Sequence, residues 1–183
     1  MPAKKKSVSK EINRGPSAAS SKTKLRTPKA SRPVLPDGYR ATKSMKGSVS
    51  WNWARERLAT SHNYLLTTVR PDGRPHTMVI WGIWFENAYF FSTGSATRKA
   101  QNIAANRNCV VCNENVEEAV IVEGEVRQLP VAEIPKPAFA VYLKKYGWTL
   151  DPERGPVFKV HPHKVIAMPE KLFPAGATRW IFD

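Results

Sequence analysis

The sequence predicts a mainly β protein with a few helices, its six or seven short antiparallel strands wrapped into a small barrel. Three observations predict it. Short runs rich in β-branched and aromatic residues recur from Tyr64 onward, punctuated by turn residues such as Pro71-Asp72-Gly73 and Glu86-Asn87. Helical periodicity is confined to a few stretches. The run Pro75–Phe85 is apolar on both faces, with Met78, Ile80 and Trp84 pointing one way and Val79, Trp81 and Ile83 the other. One face of such a strand meets the core, and the other needs a second cover such as a dimer partner or a flat cofactor.

The chain begins with a different composition. Residues 1–47 carry 13 Lys and Arg against Glu11 and Asp37, whereas residues 48–183 carry 16 against 13 acids. The net charge of +14 and the pI near 10.0 therefore describe the first segment and do not make the whole protein a nucleic-acid binder. A stretch rich in Lys, Ser, Ala and Pro buries too little apolar area to offset its ordering entropy, so residues 1–47 read as a disordered basic tail and residues 48–183 as the folded domain. Such a tail is either simply solvated or suited to nonspecific contact with nucleic acid or another anionic surface. Its Ser-rich, acid-poor composition also fits an organelle transit peptide, without the amphipathic face of one.

Order is expected from Ser48. Ser50 caps a helix through about Thr60 that places Trp51, Ala54 and Leu58 on one face. Tyr64–Arg70 and Pro75–Phe85 read as a hairpin, and Ala88–Thr93 as the next strand. A helix covers about Thr97–Asn106, and Cys109–Glu114 and Ala119–Gln128 are two further strands around an acidic turn. Pro135 and Pro137 open a helix over Ala138–Tyr146, which Gly147 stops. Val157–Val160 and Lys164–Met168 are extended on either side of Pro162, and Arg179–Phe182 closes the chain as a strand. No internal repeat is visible.

Several classes are excluded or disfavoured. No stretch approaches the roughly 20 apolar residues that span a bilayer, so no membrane role is expected. No apolar run follows the N-terminal lysines as in a secretory signal. Two cysteines do not make a disulfide framework, and together these features point to a reducing, cytoplasmic setting.

The stretch Phe90-Phe91-Ser92-Thr93-Gly94-Ser95-Ala96-Thr97-Arg98-Lys99 carries the most chemistry. A strand ends in hydroxyl residues, passes a glycine and opens a helix on two adjacent cations. A helix N-terminus is already positive, so each cation there costs on the order of 0.3–1 kcal/mol unless something compensates it. No acid occurs between Ala88 and Asn113 to do so. A bound phosphate resolves the conflict, taken up by free N–H groups, hydroxyls, Arg98 and Lys99. Alternatively both side chains extend into water, where screening makes the cost small.

From about Trp51 to Phe182 the chain resembles the pyridoxamine-phosphate-oxidase-like family of split β-barrel flavoproteins, in the branch of flavin- or deazaflavin-dependent oxidoreductases. The resemblance rests on Thr67–His76, Tyr89–Asn102, Val122–Gly124 and the ending Thr178–Phe182 in that order and spacing. It implies a homodimer with FMN or the deazaflavin F420 held between subunits. The residues matching Ser92, Thr93, Thr97, Arg98 and Lys99 would hold the cofactor phosphate. The backbone of Thr77, Met78, Val79 and Ile80 would lie against the ring, and Arg179 and Trp180 would cover it across the interface. Thr77 and Gly82 stand where the true oxidases carry Arg and Lys, and Arg179-Trp180-Ile181-Phe182 replaces their Arg-Leu-x-Pro ending. Oxidation of pyridoxamine phosphate is therefore not expected, and the loss of the two strand cations tilts the choice toward the deazaflavin.

The expected function is hydride transfer between that cofactor and a small organic substrate, with no protein acid or base assigned. His76 is a conceivable proton donor, although a histidine beside proline at a strand start is more often a turn residue. The alternatives are a protein that binds or sequesters the cofactor without turnover, and a nucleic-acid-associated protein acting through its tail. Cys109 and Cys112 match C-x-x-C, but positions three apart on a strand face opposite ways, so core cysteines are expected. His161 and His163 share a side of an extended segment without an obvious third ligand, which leaves metal and haem weakly supported. Lys144 and Lys145 near a helix C-terminus suit the dipole there and require no ligand. Trp148 and the strand tryptophans are expected to pack.

Overall fold

A computed structural model describes residues 27–39 and 43–182, and expectations for residues 1–26 and 40–42 lie outside it. The described elements are β1 (Lys29–Ser31), α1 (Trp51–Thr60), β2 (Tyr64–Val69), β3 (Pro75–Ile80), β4 (Gly82–Phe85), β5 (Ala88–Ser92), α2 (Arg98–Ala105), β6 (Asn108–Asn113), β7 (Glu118–Gln128), α3 (Lys136–Tyr146), β8 (Val157–Pro169) and β9 (Thr178–Ile181). Ser50 caps α1 by accepting from the Trp53 N–H at 3.2 Å, and Gly147 ends α3 at a φ of 79°, where a side chain would be strained.

All nine strands join one antiparallel sheet in the order β1-β9-β8-β7-β6-β2-β3. The 13-residue β8 branches: its first residues pair with β5, which pairs with β4, and its last residues pair with β9. The chain passes from β3 to β4 through Trp81 alone, so the pairings run nearly full circle and are broken at that residue. The sheet is therefore a split barrel that does not close. Its interior holds Leu58, Tyr64, Leu66, Tyr89, Phe91, Val111, Val122, Val165 and Trp180, all at or below 1% exposure, as alternating side chains along each strand require. A second apolar cluster lies under α3, where Ile83, Phe90, Leu129, Ile134 and Tyr142 meet.

Three features depart from the expectation. The run Pro75–Phe85 is two strands, because a Cβ on Gly82 would collide with the Phe90 carbonyl and the Tyr89 hydroxyl; only glycine lets the chain cross there. The outer face of β4 is covered by α3, while Val79 and Trp81 on the same side remain exposed. The two extended pieces around Pro162 form one strand, because Pro162 stands opposite a bulge at Glu123/Gly124 that relieves its missing N–H. Lys29–Ser31, read with the tail, instead pairs with β9 and completes the count of nine. Arg32 fixes that segment by donating to the carbonyls of Ser44 and Lys46, each at 2.8 Å, and to those of Ala175 and Ala177. A four-acceptor guanidinium anchor supplies what the segment lacks in apolar area.

Candidate functional site

Thr97 begins α2 by accepting from the Ala100 N–H at 3.4 Å while donating to the Gly94 carbonyl at 2.8 Å. Thr93 lies 3.3 Å from Thr97, and Ser92 donates toward the carbonyls of Gly155 and Pro156 at 3.2 and 3.1 Å. Ser92 and Thr97 thus tie the loop together, the Thr97 hydroxyl lying beside the first turn of α2. The N–H groups of Arg98 and Lys99 occupy the first turn, where no intrahelical carbonyl reaches them.

The body of α2 is fixed to the sheet by two fully buried residues that the sequence reading passed over. Asn102 donates to Thr68 at 3.0 Å, and the Thr68 hydroxyl reaches the His76 carbonyl at 3.3 Å. The start of β3 is thereby brought to the start of α2. Burial lowers the proton affinity of the His76 imidazole, and the charges of Arg70, Lys99 and Arg98 act in the same direction. Burial also lowers the Lys99 pKa. None of the three cations forms an ion pair among the described residues, and the His76 Nδ1 is buried without a hydrogen-bond partner. Arg70 joins this cluster from the β2–β3 turn, a role that its place within Thr67–His76 did not by itself assign.

Strand β3 runs from this cluster along a free sheet edge, with Thr77, Met78 and Val79 exposed and Ile80 in the core. Thr77 is held by Thr67 at 2.8 Å across the β2–β3 pair. Beyond Ile80 stands an aromatic wall: Trp81 lies 5.0 Å from Trp148, and Tyr146 and Tyr142 follow at centroid spacings of 6.4 and 4.7 Å. Trp148 and Tyr142 share a cavity of about 440 Å³ with Ser92, Thr93 and Gly94. Behind the wall, Lys145 donates to the Tyr64 hydroxyl at 2.6 Å and to the Gly82 carbonyl at 3.2 Å, and Gly82 donates to the Tyr146 hydroxyl at 2.9 Å. The end of α3 thus holds the break between β3 and β4.

On the outer face of the sheet, register places Val79, Leu65, Cys112, Ile121 and Ile166 side by side in one apolar row that ends at Arg179. Four strands separate β9 from β3 in the ladder. Arg179 donates to Ser31 at 3.0 Å. Trp180 is corrected as a ring-covering residue: it is 1% exposed and packs on Trp51 at 5.3 Å, so its indole belongs to this chain's own core.

A sequence profile described as pyridoxamine 5'-phosphate oxidase matches residues 53–168. The chain belongs to that family. Its fold recurs in solved structures. The Agrobacterium tumefaciens protein Atu2129, of unknown function, is 20% identical over 64% of this chain and 55% of its own, at a TM-score of 0.55. A heme binding protein from Mycobacterium smegmatis is 14% identical over 66% and 55%, at 0.55. This chain thus spans about half the length of both. An F420 reductase is 26% identical over 61% of this chain and 94% of its own, at 0.49. No curated protein matches the sequence.

The groups at the head of α2 are of the kind that suits an anion such as a phosphate. Two unengaged N–H groups, three unpaired cations and an orphaned imidazole nitrogen converge there. The other constellations have structural explanations. Cys109 is buried, its thiol pushed up to about 12 by burial, while Cys112 lies half-buried on the opposite face of β6. His161 and His163 stand 5.9 Å apart, and the described residues hold no cluster of three or more His, Cys, Asp or Glu suited to a metal. Among the described residues no helix is long and apolar enough to cross a membrane.

Proposed function

We propose that the protein is an oxidoreductase that binds the deazaflavin F420 or FMN along β3 and transfers a hydride between it and a small organic substrate. The observation that carries this reading is the unpaired cluster of Arg70, His76, Arg98 and Lys99 where α2 meets β3. Isolated surface cations are screened, but three converging on a helix N-terminus and a partly desolvated imidazole leave a standing electrostatic cost that an anion removes.

The bound ring supplies the hydride chemistry. The chain's residues bind and orient it. Arg98, Lys99 and the first N–H groups of α2 take the phosphate, with Thr93 beside them. The exposed edge of Thr77, Met78 and Val79 offers backbone groups to the ring, and Ile80 closes the floor behind it. His76, at the start of β3, places its imidazole beside the cations that meet the ligand. The cavity of about 440 Å³ between Gly94 and Trp148 receives the substrate. The apolar row from Val79 to Ile166 is covered by a second copy in a two-fold dimer, which carries Arg179 of one copy toward β3 of the other.

Equilibrium titrations with FMN and with F420, followed by ring fluorescence, test the reading. The double variant Arg98→Ala/Lys99→Ala is expected to weaken binding by about 2–4 kcal/mol, on the order of 30- to 1,000-fold. Unchanged affinity for both cofactors would overturn the phosphate assignment. Tight binding with no oxidation of the reduced cofactor by a panel of small acceptors would leave a sequestering protein in place of an enzyme.

A further inference from the structure

A second cavity lies on the flank of α2 opposite Asn102, running from Ser95 before the helix to Arg107 beyond it. It measures about 640 Å³, within the ~300–1,000 Å³ of ordinary small-molecule sites. Its floor is apolar and buried, built from Ala100 and Ile103 of α2, Val126 of β7 and Phe158 of β8. Its mouth is polar and continues into a smaller cavity of about 160 Å³ through Arg107, Val126 and Arg127, which line both.

The charges at that mouth are unequal. Arg127 is neutralised by Glu133 at 2.9 Å. Arg107 and Lys159 form no ion pair among the described residues. Glu125 lines the smaller cavity beside His161, so three cations face two carboxylates and one positive charge is left over. Burial, His163 and Lys159 lower the proton affinity of His161, with Glu125 acting in the opposite direction.

From these features we infer a binding site for an amphipathic organic anion, a single apolar chain or ring system ending in one carboxylate or similar head. The apolar body lies over Ile103, Val126 and Phe158, where water makes few hydrogen bonds and its release favours binding. The head meets Arg107 and Lys159 at the mouth, where each forms a charge-assisted contact. A dianion or a polyphosphate does not match one excess positive charge, and an uncharged lipid leaves it unmatched. The site stands apart from the flavin reading and does not depend on it.

Calorimetric titration of decanoate into the full chain tests the inference, with decanol as the uncharged comparison. Saturable binding of one decanoate per chain, stronger than decanol, is expected. Arg107→Gln should weaken decanoate about tenfold or more while leaving decanol unchanged. Ala104→Trp, at an exposed position of the cavity wall, should block both while leaving FMN and F420 titrations as in the wild type. Absence of saturable decanoate binding, or unchanged decanoate affinity in both variants, would overturn the site.

Discussion

Lys145 carries a charge that the fold only partly accommodates. Its ammonium donates to Tyr64, Ala59 and Gly82, and burial lowers its pKa from 10.5 to about 8, with Glu114 acting in the opposite direction. Between pH 8 and 10.5 the unfolded chain therefore holds a proton that the folded chain has released, so this lysine makes stability rise with pH through that window. Tyrosine and cysteine titrations overlap it, and the difference between wild type and Lys145→Met isolates the lysine. Urea unfolding at pH 7 and at pH 9.5 is expected to show that difference moving in favour of the wild type at the higher pH. A constant difference would mean that the amino group is solvated.

At the scale of elements, the long β8 depends on how β7 accepts Pro162. A Cβ on Gly124 would strike the His161 main chain, so the bulge exists only with glycine there. Gly124→Ala is expected to cost about 3 kcal/mol or more, read by chemical denaturation, because backbone is the obstacle and cannot turn aside. The strap formed by β1 is held differently, through Arg32 and the β9 ladder. Arg32→Ala is expected to raise hydrogen exchange at Lys29–Ser31 and the paired residues of β9 while the barrel interior stays protected.

The whole molecule joins a barrel to a basic segment, and the boundary between them matters for experiment. Deletion of residues 1–26 should leave folding and cofactor binding intact and remove any salt-sensitive nucleic-acid binding. Deletion of residues 1–47 also removes β1 and Arg32, and a lower melting temperature is expected beside it. Retained nucleic-acid affinity in the shorter deletion would place that activity in the barrel. The apolar row beginning at Val79 makes its own prediction. Leu65→Lys, at a position 38% exposed in the single chain, should shift the proposed dimer to a monomer in sedimentation velocity without unfolding it, and a wild type that sediments as a monomer would overturn the pairing.

Alternation and turn chemistry carried most of the fold. Apart from the break of Pro75–Phe85 into two strands, the strands from Tyr64 to Gln128, all three helices and the caps at Ser50 and Gly147 follow from local periodicity and from residues that can adopt only certain backbone angles. The unusual sequence Thr97-Arg98-Lys99 located the head of α2 because a helix dipole makes adjacent cations there conspicuous. Other features arose only when distant segments met. Arg70 and His76 join Arg98 and Lys99 because buried Asn102 and Thr68 bring α2 to β3. The resemblance assigned Trp180 to the ring, yet packing against Trp51 claims it for the core. Ser92 and Thr97 also bind the carbonyls of Gly155 and Gly94, contacts that no local pattern announced. A strand as short as Lys29–Ser31 has no periodicity to read, since its stability comes from the edge of β9 and four carbonyls around Arg32. Local residue chemistry thus determined which elements form, and long-range packing decided which of their side chains remained free to act.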